Sequence, residues 1–101
     1  MTRHQAMEAA RAFLKVHYPT APPTIVLRDE WITEHGWAWR VVFDTQEYLD
    51  SGDIMERLMS RALYVRKDTG EVDFVPSAMP SDVADRYLET GVWPYGPGAG
   101  R

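Results

Sequence analysis

The chain has 101 residues, 45% of them hydrophobic and 26% charged, which suits one compact domain and leaves no room for a second of ordinary size. It contains no cysteine, so disulfides, thiolate nucleophiles and cysteine zinc sites are excluded, and any metal or covalent chemistry would have to come from His4, His17, His35, carboxylates or serines. Eleven Lys and Arg against 15 Asp and Glu leave a formal charge of −4, which argues against general affinity for nucleic acid or anionic lipid.

Thr2 and Gln5 have the spacing of a capping box, and Ala6, Ala9, Ala10, Phe13 and Leu14 return at helical intervals up to about His17. This predicts a first helix that stops where Pro19, Pro22 and Pro23 restrict the backbone and remove amide donors. No long apolar run offers a membrane span, and the charged, Ala-rich start is unlike a signal-peptide core, so the expected location is a bacterial-type cytosol. From Thr24 the residues become β-branched and aromatic. Thr24 to Ile32 and Trp37 to Phe43 read as a hairpin about a turn at Glu34, His35 and Gly36. Alternation places Trp37, Trp39, Val41 and Phe43 on one heavily buried face beneath the first helix, with Ala38, Arg40, Val42 and Asp44 opposite.

Residues 45–60 read as a short helix broken at Ser51 and Gly52, carrying Tyr48, Leu49, Ile54, Met55, Leu58 and Met59. Arg61 to Arg66 and Glu71 to Val75 form a second hairpin around Lys67, Asp68, Thr69 and Gly70, where Asp and Gly suit a positive-φ turn. Ser81 is placed to cap a short helix with Val83, Ala84, Tyr87 and Leu88, ended by Gly91. The expected organisation is one domain over residues 1–93 and a flexible tail over 94–101. The fold class is α+β, with the N-terminal helix and the short C-terminal helix packed on a mostly antiparallel four-stranded sheet.

Asp44, Glu47, Asp50, Asp53 and Glu56 are spaced by three with no base among them, and Arg57, Arg61, Arg66 and Lys67 follow with no acid among them. The acidic block is a candidate contact for a basic protein partner, against the plainer reading of a solvated rim. Tyr48 lies within it. Trp31 and Trp93 are further candidate contacts, with docking onto the sheet as the alternative for Trp93. A calcium loop at Asp50, Ser51, Gly52, Asp53 and Glu56 lacks the alternating ligands and distant Glu of an EF-hand, and no other metal or cofactor motif occurs. Each histidine is isolated in sequence, and no nucleophile elbow or phosphate-binding glycine loop is present. No catalytic residue is assigned, and the chain is expected not to be an enzyme.

Three stretches carry a resemblance: Gly36-Trp37-Ala38-Trp39-Arg40-Val41-Val42-Phe43, Glu47-Tyr48-Leu49-Asp50-Ser51-Gly52-Asp53, and Leu63-Tyr64-Val65-Arg66-Lys67-Asp68-Thr69-Gly70-Glu71-Val72. With the helix before them and the pair Tyr87-Leu88 after, they resemble the YrhB-like family, also catalogued as the immunity protein 35 domain, over about residues 2–90. The resemblance implies a small bacterial cytosolic α+β protein that binds another protein, either a cognate toxin that it neutralises or, as the alternative, unfolded clients held by a heat-stable chaperone-like factor. The chain departs from the family pattern at Met59-Ser60-Arg61-Ala62-Leu63 and at Arg66, which adds bulk and positive charge beside the third strand.

Overall fold

The first helix, α1 (Arg3–His17), begins as its capping box requires. The Thr2 hydroxyl accepts from the Gln5 amide at 3.1 Å, and the Gln5 side chain accepts from the Thr2 amide at 2.8 Å. Its last turn carries Lys15 and His17, favourable at the negative end of the helix dipole, and His17 Nδ1 lies 3.2 Å from the Phe13 carbonyl. In this computed structural model residues 1–58, 60–76 and 79–94 are described, without the side chain of Glu56. The expected tail lies outside the described residues from Tyr95 onward.

Four strands follow in the order β1 (Ile25–Glu34), β2 (Ala38–Thr45), β3 (Ala62–Arg66) and β4 (Val72–Phe74), each antiparallel to the next in one sheet. Between β2 and β3 stand α2 (Gln46–Ser51) and a 3₁₀ turn (Ile54–Glu56), and α3 (Ser81–Thr90) closes the described chain. The α+β reading is therefore correct. Gly52 takes φ 70° to end α2, a conformation that a Cβ would disfavour, and Gly70 supplies the positive φ expected between β3 and β4. Ser81 does not cap α3. It is the first helical residue, and Pro80 occupies the cap position with no side-chain acceptor to offer.

Facing pairs of an antiparallel sheet share a side, so Trp39 with Val65, Val41 with Leu63 and Phe43 with Leu27 form one face. That face meets Ala6, Ala10 and Leu14, spaced by four along α1, and together they make the main core. Two alanines at the contact let the helix approach a sheet surface that carries Trp39 and Phe43. The opposite face, with Arg40 facing Tyr64 and Val42 facing Ala62, is not left to solvent. Val75, Met79 and Ala84 pack against Ala62 and Tyr64, and Arg40 pairs with Asp85 of α3 at 2.9 Å. β2 is thus enclosed between α1 and α3.

Trp37 departs from the expected alternation. The His35 amide donates to the Ala38 carbonyl at 3.0 Å, so the turn spans Gly36 and Trp37 rather than ending at Gly36, and Trp37 stands before β2. Its ring leaves the Trp39 face and packs edge-on to Tyr64 and Tyr87, at 5.4 and 5.3 Å between centroids. There it meets the end of α3, whose last carbonyls lack intrahelical partners. The Trp37 amide donates to the Leu88 carbonyl at 3.1 Å, and its indole Nε1 donates to the Tyr87 carbonyl at 2.7 Å. His35 adds a contact from Nδ1 to Glu89 Oε1 at 3.0 Å and one from Nε2 to the Thr33 hydroxyl at 2.8 Å.

Gly36 permits this docking, because a Cβ there would run into the Glu89 carbonyl oxygen and come within 3.1 Å of the Glu89 backbone carbons. Gly36→Ala is expected to cost about 1–3 kcal/mol, the range for an overpacked site, and to free α3 selectively. Urea denaturation and amide exchange measure this; α3 amides as protected as in the parent chain would refute it.

Candidate functional site

The acidic block does not form one uniform surface. Asp44, at the end of β2, is only 5% exposed and accepts from the Thr45 amide at 2.9 Å. Its other oxygen, Oδ2, receives Arg57 Nε at 3.1 Å and Nη2 at 3.0 Å. Proposed from sequence as a contact residue, Asp44 is instead an internal anchor, because the sheet register carries it inward. Arg57 also lies over the Tyr48 ring, 4.4 Å from its centroid, which leaves Tyr48 half-buried. Asp44, Tyr48 and Arg57 therefore bind β2, α2 and the segment after the 3₁₀ turn to one another.

The next three acids each hold a turn. Glu47 Oε1 accepts from the Thr24 amide at 2.7 Å and ties α2 to the entry of β1. This hydrogen bond holds the Glu47 carboxyl below the usual carboxylate range. Asp50, one turn along α2, accepts from the Gln46 side chain at 2.8 Å. Asp53 accepts from the Met55 amide at 3.0 Å and caps the 3₁₀ turn. Asp50 and Asp53 remain exposed, whereas the Glu56 side chain lies outside the described residues.

These bonds fix a shoulder whose apolar side chains face water. Ile54 is 67% exposed, Met55 86% and Leu49 39%. Sequence reasoning grouped them as apolar residues of a short helix and did not assign them a role. A recognisable signal was available: a three-residue turn just after the helix-ending Gly52 is too short to bury a face, so adjacent Ile54 and Met55 have no interior to enter. The shoulder brings Glu47, Tyr48, Asp50 and Asp53 together with these apolar groups.

The two tryptophans proposed as contacts stand elsewhere in the fold. Trp31 belongs to a bulge in β1, where the pairing jumps from Leu27 opposite Phe43 to Ile32 opposite Val41, and the Arg28 guanidinium lies 5.2 Å from its ring centroid. Trp93 packs edge-on to Tyr87 at 5.4 Å and joins the Val75, Met79 and Ala84 cluster, so it docks on the α3 side of the molecule. His35, isolated in sequence, meets Thr33, Asp85 and Glu89 in the fold. Among the described residues, no group of three or more His, Asp or Glu is arranged to hold a metal ion, and no helix is long and apolar enough to cross a membrane.

A helix over a four-stranded meander, with a short helix and turn inserted between the second and third strands, is matched by the model of one protein family, immunity protein 35, over residues 4–93. The chain belongs to the immunity protein 35 family. The match spans α1 from His4 onward, the whole sheet, the α2 shoulder and α3. No curated protein and no solved structure matches the chain.

Two predictions separate anchoring acids from exposed ones. Asp44→Asn is expected to destabilise the protein by about 2 kcal/mol, since it removes one charge of a pair whose carboxylate is buried and whose Arg57 is partly in water. Asp50→Asn should cost less than about 0.5 kcal/mol, as for other surface changes; equal costs in chemical denaturation would refute the distinction. For Glu47, the lowered folded value means a stabilising contribution that is complete above the ordinary carboxylate value of 4.5 and is lost as pH falls through the lower folded value. Glu47→Gln should therefore be less stable than the parent chain at pH 7, with the gap closing in more acidic urea titrations.

Proposed function

We propose that this immunity protein 35 domain neutralises a cognate toxin by direct binding, without catalysis, and that the shoulder formed by α2 and the 3₁₀ turn is the contact. Family membership supports a protein partner. The observation that carries the choice of surface is the adjacent pair Ile54 and Met55, apolar and open to water on a turn capped by Asp53. Exposed apolar groups rimmed by polar ones are characteristic of protein contacts.

The surrounding charge specifies the partner further. Glu47, Asp50 and Asp53 give the rim a negative field, which speeds encounter with a basic surface and disfavours acidic ones. In this reading Leu49, Ile54 and Met55 provide the desolvated centre, and the carboxylates provide orientation and rate. Asp44 and Tyr48 act beneath the surface, because their contacts with Arg57 hold the shoulder in place.

The test is co-expression with the toxin encoded beside the gene for this chain, followed by binding kinetics with the purified pair. The parent chain should restore growth. Replacing Ile54 and Met55 together by Asp should weaken binding by roughly 30-fold or more, as expected for truncating a hot spot. Asp50→Lys with Asp53→Lys should slow association and weaken its salt dependence, and should also speed dissociation because Asp53 caps the turn that carries Ile54 and Met55. Full protection by both double variants would place the contact elsewhere, and no protection by the parent chain would reject the immunity role.

A further inference from the structure

Among the described residues, the methionines differ sharply in what they show to solvent. Met55 is 86% exposed, whereas Met79 is 7% exposed and packs with Val75 and Ala84. Met7 is half-buried against the main core. The turn that carries Met55 is held through its backbone: the Met55 amide donates to Asp53 at 3.0 Å and the Arg57 amide donates to the Ile54 carbonyl at 3.2 Å. A chemical change at the Met55 sulfur therefore leaves those bonds in place and alters only the surface offered to a partner.

A thioether is converted to a sulfoxide by two-electron oxidants, and susceptibility follows exposure. Asp50 and Asp53 are exposed on the same shoulder, so their field opposes an anionic oxidant and leaves uncharged hydrogen peroxide free to approach. The sulfur attacks one peroxide oxygen, and the S–O bond forms as the O–O bond breaks. The departing hydroxide takes the proton from the transferred oxygen and leaves as water, so sulfur loses the two electrons that peroxide gains. A flexible apolar side chain becomes a polar, chiral one. Beside Ile54, in the desolvated centre of a contact, the new S–O acceptor would be buried at a cost unless the partner supplied a donor.

We propose that Met55 is an oxidation site through which hydrogen peroxide weakens the toxin contact. The inference rests on the α2 shoulder being that contact. The change is reversible, because thiol-dependent methionine sulfoxide reductases return the thioether. A toxin seated on the shoulder covers the sulfur and slows its oxidation, so peroxide acts on the free protein rather than on the complex.

The experiment treats the purified full chain with hydrogen peroxide, alone and in complex with the toxin encoded beside its gene, removes the peroxide with catalase and reads each methionine by peptide mass spectrometry. In the free chain Met55 should oxidise roughly tenfold faster than Met79 or more, and bound toxin should slow it. The oxidised chain should keep its urea midpoint yet bind fresh toxin roughly tenfold more weakly, with binding restored by the two stereospecific methionine sulfoxide reductases and dithiothreitol. Met55→Leu should bind with an affinity of its own that the same peroxide treatment leaves unchanged. The proposal is overturned if Met55 oxidises no faster than Met79, if the oxidised parent chain binds as tightly as the reduced one, or if peroxide weakens Met55→Leu equally. No binding by the reduced parent chain rejects the toxin contact and this inference with it, whereas binding that peroxide leaves untouched removes the inference alone.

Discussion

Strand β2 has to bury both of its faces, and most of the architecture follows from that demand. Trp39, Val41 and Phe43 require the small-residue stripe of α1, while Ala38, Arg40 and Val42 require a second cover that no part of α1 can reach. α3 supplies that cover although it lies far along the chain, burying Ala84 and Leu88 and adding polar contacts to the sheet and its turn. Its last carbonyls are taken by Trp37, its Asp85 pairs with Arg40, and its Glu89 meets His35. The β1–β2 turn therefore has a second role as the docking site for the final helix.

The same strand ends in Asp44, whose pair with Arg57 starts the segment that projects from the sheet. From there, successive acids satisfy backbone and side-chain donors: Glu47 at Thr24, Asp50 at Gln46 and Asp53 at Met55. Acids spaced by three are thus not equivalent charges on a rim. Their geometry changes from strand to α-helix to 3₁₀ turn within a dozen residues, so one carboxylate points inward and others stand in water. What the segment presents outward is a pair of exposed apolar side chains with negative charge around it.

Much of this was legible in the chain itself. The capping box, the parity of Trp39, Val41 and Phe43, both hairpins and the break at Gly52 are local consequences of side-chain shape and backbone freedom. The family match over residues 4–93 agrees with the immunity protein 35 part of the resemblance carried by the Gly-Trp strand and the Lys-Asp turn. Trp37 was misplaced because its parity counts only if the strand has begun, and the turn closed one residue later than its Gly suggested. The cap of α3 was misassigned for a similar reason, since Ser81 and Pro80 are both acceptable entries and only the hydrogen bonds distinguish them.

By itself, the sequence determined the elements, their order and the absence of thiol chemistry, because helix caps, alternation and turn residues act within a few positions of the chain. Which charges face water was decided only by the tertiary structure. Asp44 and Asp50 are the same residue type in the same block, but one is buried against Arg57 and the other is exposed and bonds to Gln46 of its own helix. Likewise, among the described residues Arg61 meets the Leu58 carbonyl, whereas Arg57, Arg66 and Lys67 meet carboxylates. Pairing of charges depends on distances between segments remote in sequence, and those distances exist only once β2 has been enclosed.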